Sequence, residues 1–128
     1  MDKKIKITKK RQAVAVDSLC NVIIAAIQDK KGNNIACLDL QNIPEAITDF
    51  FVVCDANSTV QVRAILDNVE EEVKKQLHVK PFHLEGRSNG EWALLDFGDI
   101  VVHVFQTEKR EFYQLEDLWS DAGIKHYD

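Results

Sequence analysis

Asp96, Asp99 and His103 stand within eight residues of one another, with Asp49 further upstream, and these are the side chains whose types could do chemistry. Two carboxylates close in space can hold a magnesium ion, and His103 with Asp96 or Asp49 could form an acid-base pair. Neither reading gathers support around it. Asp96-Phe97-Gly98 invites comparison with a kinase, but there is no glycine-rich phosphate loop, no H-R-D loop and too little chain in 128 residues for two lobes. Asp96 and Asp99 flank a turn, where aspartate is common for its local hydrogen bonding. No Ser or Cys nucleophile with an oxyanion motif accompanies the histidine. His78, His83, His103 and Cys54 lack zinc-ligand spacing. Gly86 and Gly90 sit between strands rather than before a helix, so neither a phosphate loop nor a dinucleotide fingerprint is present. The chemistry favours a binding module over an enzyme, with no catalytic residue, metal or cofactor expected.

The element that positions these residues is a hairpin. Two β-rich runs flank a Gly-Asp turn, whose loop is either Gly98-Asp99 alone or Phe97 through Ile100. Antiparallel pairing sets Asp96 opposite Val101, Leu94 opposite His103 and Trp92 opposite Phe105. One face is then Ala93, Leu95, Phe97, Ile100, Val102 and Val104, wholly apolar and therefore core. The other is Trp92, Leu94, Asp96, Val101, His103 and Phe105, which mixes large apolar groups with an acid and an imidazole. That face is either covered by a helix or offered to a partner.

Earlier in the chain, Val16, Leu19, Cys20, Ile23, Ile24 and Ile27 recur at helical spacing, with Lys30 and Lys31 suited to the helix end and Gly32 to a left-handed stop. Ile35 to Leu40 reads as a strand, broken by Asn42-Ile43-Pro44. Asp49 to Cys54 is a continuous apolar run of the kind buried on both faces. Ser58 followed by Gln61 resembles a capping box opening a helix whose buried stripe is Val62, Ile65, Leu66, Val69, Val73 and Leu77. A short strand at Phe82 to Glu85 completes a strand-helix-strand crossover. The expected architecture is α/β, one domain, with a mixed sheet of about five strands flanked by helices.

Composition sets outer limits. Hydrophobic residues at 45% and charged ones at 29% are ordinary for a soluble domain. No apolar run approaches the roughly 20 residues of a spanning helix and the lysine-rich start lacks a signal-peptide core, so no membrane role is expected. Cys20, Cys37 and Cys54 lie in apolar runs without a C-x-x-C pair and read as buried, reduced thiols of a cytoplasmic protein. The net charge of −5 is unevenly divided: six basic residues against Asp2 give residues 1–11 a charge of +5, leaving −10 on the remainder. A basic arm on an acidic body suits a phosphate backbone and a basic partner respectively.

Asp49 to Cys54 with Ser58, Glu85-Gly86, Trp92 with Leu95 to Asp99, Val101 to Phe105, and Arg110, Tyr113, Leu115-Glu116, Leu118-Trp119 and Asp121-Ala122 together resemble the ribosomal silencing factor, or Iojap-like, family. The resemblance gives a silencing-factor domain at 12–122, with the basic arm at 1–11 and a C-terminal tail at 123–128 outside the shared pattern. It also implies a cytoplasmic α/β protein of nucleotidyltransferase-like topology without that activity. Such a protein binds the large ribosomal subunit through ribosomal protein fourteen, blocks joining of the small subunit and represses translation under nutrient limitation. Active nucleotidyltransferases carry a Gly-Ser element before a helix and two acids two apart on a strand, whereas Asp96 and Asp99 are three apart across a turn. A degenerate nucleotide-binding relative of that class, using those two aspartates, is the alternative.

On this reading Trp92, Leu94, Asp96, Asp99 and Phe105 are the expected partner-binding residues: apolar anchors beside an acidic tip that meets a basic ribosomal protein. His103 and Tyr113 stand as secondary contacts. Tyr113, Leu115, Leu118 and Trp119 have the spacing of a helix docked on the sheet, with Arg110 and Glu116 available for structural pairs. The basic arm is an expected contact for ribosomal RNA, and the same apolar face could join two copies of the chain.

Overall fold

The fold is that of a computed structural model, which describes residues 14–113 and 121–128. In order the elements are α1 (Val16–Asp29), β1 (Asn33–Asp39), β2 (Phe50–Ala56), α2 (Thr59–Leu77), β3 (His83–Glu85), β4 (Trp92–Asp96), β5 (Ile100–Gln106), α3 (Thr107–Tyr113) and β6 (Gly123–Tyr127). The strands make one mixed sheet in the order β3-β4-β5-β2-β1-β6, in which only β2 and β5 are paired in parallel.

The larger core lies between this sheet and the pair α1 and α2. Leu19, Ile23 and Ile27 of α1 and Val62, Ile65, Leu66, Val69 and Val73 of α2 meet Val52, Cys54, Ala93, Leu95, Ile100, Val102 and Val104 from the strands. These are the helical stripes and the hairpin face that periodicity and parity select. At about 25 cal/mol per Å² of apolar area removed from water, this layer dominates the favourable side of folding.

The helix ends show how local chemistry joins the elements. The Ser58 hydroxyl accepts from the Gln61 backbone N–H at 3.1 Å, the N-cap expected from the sequence. The Gln61 side chain does not turn back to complete a capping box; its amide donates to the carbonyls of Lys30 and Lys31 at the end of α1. There Lys31 N–H reaches Gln28 O and Gly32 N–H reaches Ile27 O, a Schellman pattern. The left-handed residue is Lys31, at φ 60°, and not Gly32 as the sequence suggested. Gly32 is required for another reason: a Cβ there would lie 2.4 Å from Ile27 Cγ2.

Two features of the sheet differ from expectation. The chain leaves β2, passes through α2 and enters β3, but β3 is not the neighbour of β2; it forms the outer edge, and β4 and β5 lie between them. The parallel neighbour of β2 is β5, register Phe50 to Ile100 through Ala56 to Gln106. The sheet also has six strands where about five were expected, because Gly123–Tyr127, set apart as a tail, pairs antiparallel with β1 as Ile35 to Tyr127 through Asp39 to Gly123. Among the described residues no helix is long and apolar enough to cross a membrane.

Candidate functional site

The hairpin pairs as parity requires, with Trp92 opposite Phe105, Leu94 opposite His103 and Asp96 opposite Val101. Side chains of paired residues share a face, so the register can be read across the sheet. The side turned away from α1 and α2 carries His83 and Glu85 of β3, Trp92, Leu94 and Asp96 of β4, Val101, His103 and Phe105 of β5, and Phe51, Val53 and Asp55 of β2. Its two halves differ. Towards β1, Ala36, Leu38, Leu40, Val53 and Phe105 form a second buried cluster, with Ile43, Ala46, Phe51, Trp92 and Ala122 packed on it. Towards β3, Leu94, Asp96 and Val101 are half-buried and His83 and Glu85 exposed.

Trp92 sits at the border between these halves, and its setting is built from three directions. Its ring stacks on Phe105 at 4.9 Å between centroids. Its indole Nε1–H donates to His103 Nδ1 at 3.0 Å. Its backbone is fixed by the preceding loop, where Gly90 N–H reaches Gly86 O at 3.0 Å and Gln106 N–H reaches Glu91 O at 2.8 Å. Gly86 has φ +79°, and a Cβ there would fall 2.1 Å from the Trp92 carbonyl oxygen, so both the left-handed backbone and the close approach call for glycine. Arg87 anchors the same loop to α2 through a bidentate pair with Asp67, and that guanidinium holds the Asp67 carboxyl below its ordinary pKa.

His103 is 5% exposed. Because Nδ1 accepts from Trp92, the neutral ring must carry its proton on Nε2, and Nε2 is a buried atom with no hydrogen-bond partner. Burial lowers its pKa from 6.5 to about 4, as expected for a cation excluded from water without a compensating acid. Phe51 meets the ring edge-on at 4.6 Å. His103 is therefore a neutral buried support for Trp92, and among the described residues no aspartate partners it as an acid-base pair.

At the tip the two aspartates serve the turn. Asp96 Oδ1 accepts from Gly98 N–H at 2.8 Å, and Phe97 N–H reaches Ile100 O at 2.9 Å. The Asp99 carbonyl accepts from both Asp49 N–H and Phe50 N–H, and Thr48 Oγ1 donates to Gly98 O at 2.8 Å. This leaves the Asp99 side chain exposed at the end of the hairpin. Among the described residues no three His, Cys, Asp or Glu side chains are grouped to hold a metal.

The carboxyl ends of β2 and β5, where open α/β sheets offer a ligand crevice, are filled by the chain's own polar groups. Asp55, 1% exposed, accepts from Arg110 Nη1 at 2.9 Å, Thr107 Oγ1 at 2.9 Å and Asn34 Nδ2 at 3.2 Å. The knot ties α3 and β1 to β2. Nothing in the sequence pattern marks Asp55, an acid at the end of an apolar run, as the partner of Arg110.

The expected site residues thus separate. Trp92, Leu94 and Asp96 are half-buried neighbours on one face, and Asp99 projects from its tip. Phe105 is corrected: at 0% exposure it supports Trp92 from beneath and presents no surface of its own. It belongs to the buried cluster on which Ile43, Ala46, Phe51, Trp92 and Ala122 pack. His103 is buried likewise. Tyr113 closes α3, but its side chain lies outside the described residues, as do Leu115, Glu116, Leu118 and Trp119. Val101 and the exposed Ile47 and Phe82, which the sequence did not single out, border a shallow cavity of about 180 Å³ beside Asp96.

Comparison with known proteins places this arrangement. Residues 13–128 match the family described as "Ribosomal silencing factor during starvation". The ribosomal silencing factor RsfS of Bacillus subtilis is 37% identical over 112 residues, covering 87% of this chain and 92% of that protein. A mouse protein named for mitochondrial assembly of the ribosomal large subunit is 29% identical over 106 residues, covering 78% of this chain and 44% of that protein. A crystal structure of a Chromobacterium violaceum protein superposes with a TM-score of 0.79 at 32% identity, covering 84% of this chain and 88% of that one. Sequence and fold agree, and the chain belongs to the ribosomal silencing factor family.

Proposed function

We propose that this protein docks on the large ribosomal subunit through ribosomal protein fourteen and represses translation in the cytoplasm by standing where the small subunit would join. The observation that carries the reading is Trp92, half-buried on the sheet face free of α1 and α2, stacked on Phe105 and hydrogen-bonded to His103. An aromatic anchor held in one rotamer loses little entropy on docking, and such residues contribute disproportionately to interface energy. Leu94 and Val101 extend the apolar centre. Asp96, Asp99 and Glu85 give its margin a negative sign, which steers encounter with a basic ribosomal protein. Occlusion of this kind requires a tight surface and no turnover, so no catalytic group enters.

Co-sedimentation with purified large subunits tests the anchor. Trp92→Ala should weaken binding by about 2 kcal/mol, roughly 30-fold, while Leu94→Asp should do so without emptying the Phe105 cluster. Wild-type affinity in both variants, with native melting curves, would remove this face from consideration. The same face is proposed to join two copies of the chain, so self-association should fall as subunits are added.

The basic arm, residues 1–11 at +5, is placed by the same proposal against ribosomal RNA beside the docked body. Phosphate contacts release counterions. Deleting the arm should therefore flatten the salt dependence of subunit binding, and an unchanged slope would dispose of the contact.

A further inference from the structure

On the helix-bearing side of the sheet, away from Trp92, lies a cavity of about 380 Å³ that the docking reading does not use. Its walls come from the first half of α1, from β1 and from the edge strand β6, and include Val16, Phe50, Ile124, Lys125 and Tyr127. Two thiols open into it: Cys20 of α1 and Cys37 of β1. Both are half-buried free cysteines, unlike Cys54, which is fully enclosed. This corrects the expectation of three sequestered thiols, and it does so at two positions that face each other.

Cys20 and Cys37 line this one cavity from its helix wall and its strand wall, near enough for each thiol to bear on the other's ionisation. The neighbouring thiol lowers the Cys20 pKa to about 7 and raises that of Cys37. Lys125, paired with Cys37 across the β1 and β6 ladder, adds a positive charge to the same cavity. Asp17 and Asp39 act on the pair in the opposite sense. A thiolate fraction at neutral pH, access from solvent and a second thiol lining the same cavity are the attributes of an oxidisable pair.

We propose that Cys20 and Cys37 are a dithiol modification site, at which a small hydroperoxide forms an intramolecular disulfide tying α1 to β1. The Cys20 thiolate attacks one peroxide oxygen; the O–O bond breaks, and the departing oxygen takes a proton from solvent. Cys20 then carries a sulfenic acid. The Cys37 sulfur attacks the Cys20 sulfur, the S–O bond breaks, and the leaving hydroxide takes up the Cys37 proton as water. With hydrogen peroxide the balance is two thiols and one peroxide giving one disulfide and two waters, sulfur being oxidised and peroxide oxygen reduced. The pairing is specific because Cys54 is enclosed in the core between β2 and the helices.

The test treats the full-length folded chain with hydrogen peroxide, blocks remaining thiols with iodoacetamide and maps the peptides by mass. The expected result is a Cys20 to Cys37 cross-linked peptide, lighter by two hydrogens, reversed by dithiothreitol, with Cys54 unoxidised. In Cys37→Ser the sulfenic acid has no resolving partner, so Cys20 should be captured by dimedone; in Cys20→Ser neither product should form. The proposal is overturned if both thiols remain fully alkylatable at peroxide levels that oxidise a free-thiol control. Bridges only between chains, or sulfinic and sulfonic products without the cross-link, overturn it equally. Melting curves of both variants establish that the folded protein is being read.

Discussion

His103 has one acceptor nitrogen, and Trp92 occupies it. The ring is neutral because burial lowers its pKa from 6.5 to about 4. The sign of the resulting linkage follows directly. Above pH 6.5 both folded and unfolded chains hold a neutral ring, and His103 gives no pH dependence. Between pH 6.5 and about 4 the unfolded chain binds a proton that the folded chain refuses, so stability is lost as pH falls, by about 1.4 kcal/mol per unit and roughly 3 kcal/mol across the window. His103→Asn, which keeps an acceptor for Trp92, should show less acid destabilisation than wild type in urea melts at pH 7 and pH 4.5. Equal losses in the two proteins would contradict this account of the histidine. The same residues show what parity can reveal. Alternation along the hairpin placed Trp92, Leu94, His103 and Phe105 on one face, correctly, since the antiparallel register is a local property. It could not show that Phe105 is sealed, because the buried cluster it joins draws on Ala36, Leu38 and Leu40, which no local pattern brings to β5.

The elements were legible in proportion to how local their causes are. Ser58 at the start of α2 and the apolar stripe behind it are written in a few consecutive residues, and both are found where expected. A crossover fixes the direction of the returning strand but not its neighbour, which is why β3 is a strand as expected yet lies at the edge, with two strands between it and β2. β6 escaped notice because Gly-Ile-Lys-His-Tyr is short and mostly exposed; an edge strand is held chiefly by backbone bonds to β1. The Asp55 knot is likewise a product of the assembled fold. Its ion pair with Arg110 has side chains only 2% and 11% exposed, so removing the cation would leave a buried carboxylate partly unpaired. Arg110→Ala should therefore cost about 3–5 kcal/mol, measured by chemical denaturation. A loss within about 0.5 kcal/mol, ordinary for a surface substitution, would show that the knot does not hold α3 and β1 to β2.

Taken as one body, the molecule is asymmetric. Two helices bury one side of the sheet, while the other is only partly covered and keeps Trp92, Leu94, Asp96 and Val101 half-exposed beside the Asp99 tip. The family assignment gives that asymmetry a context: a chain matched from residue 13 to 128 by the ribosomal silencing factor family carries an anchored aromatic beside an acidic margin, the face proposed to meet a basic protein. The redox-sensitive dithiol proposed at Cys20 and Cys37 lies on the opposite side of the sheet, so modification there and the docking proposed at Trp92 use separate surfaces. The central claim is occlusion, and sucrose-gradient analysis of separated subunits recombined in the presence of the protein tests it most directly. The account predicts that the protein migrates with the large subunit, that whole ribosomes fail to form, and that Trp92→Ala restores them. Undiminished joining of subunits while the wild-type protein remains bound to the large one would contradict it.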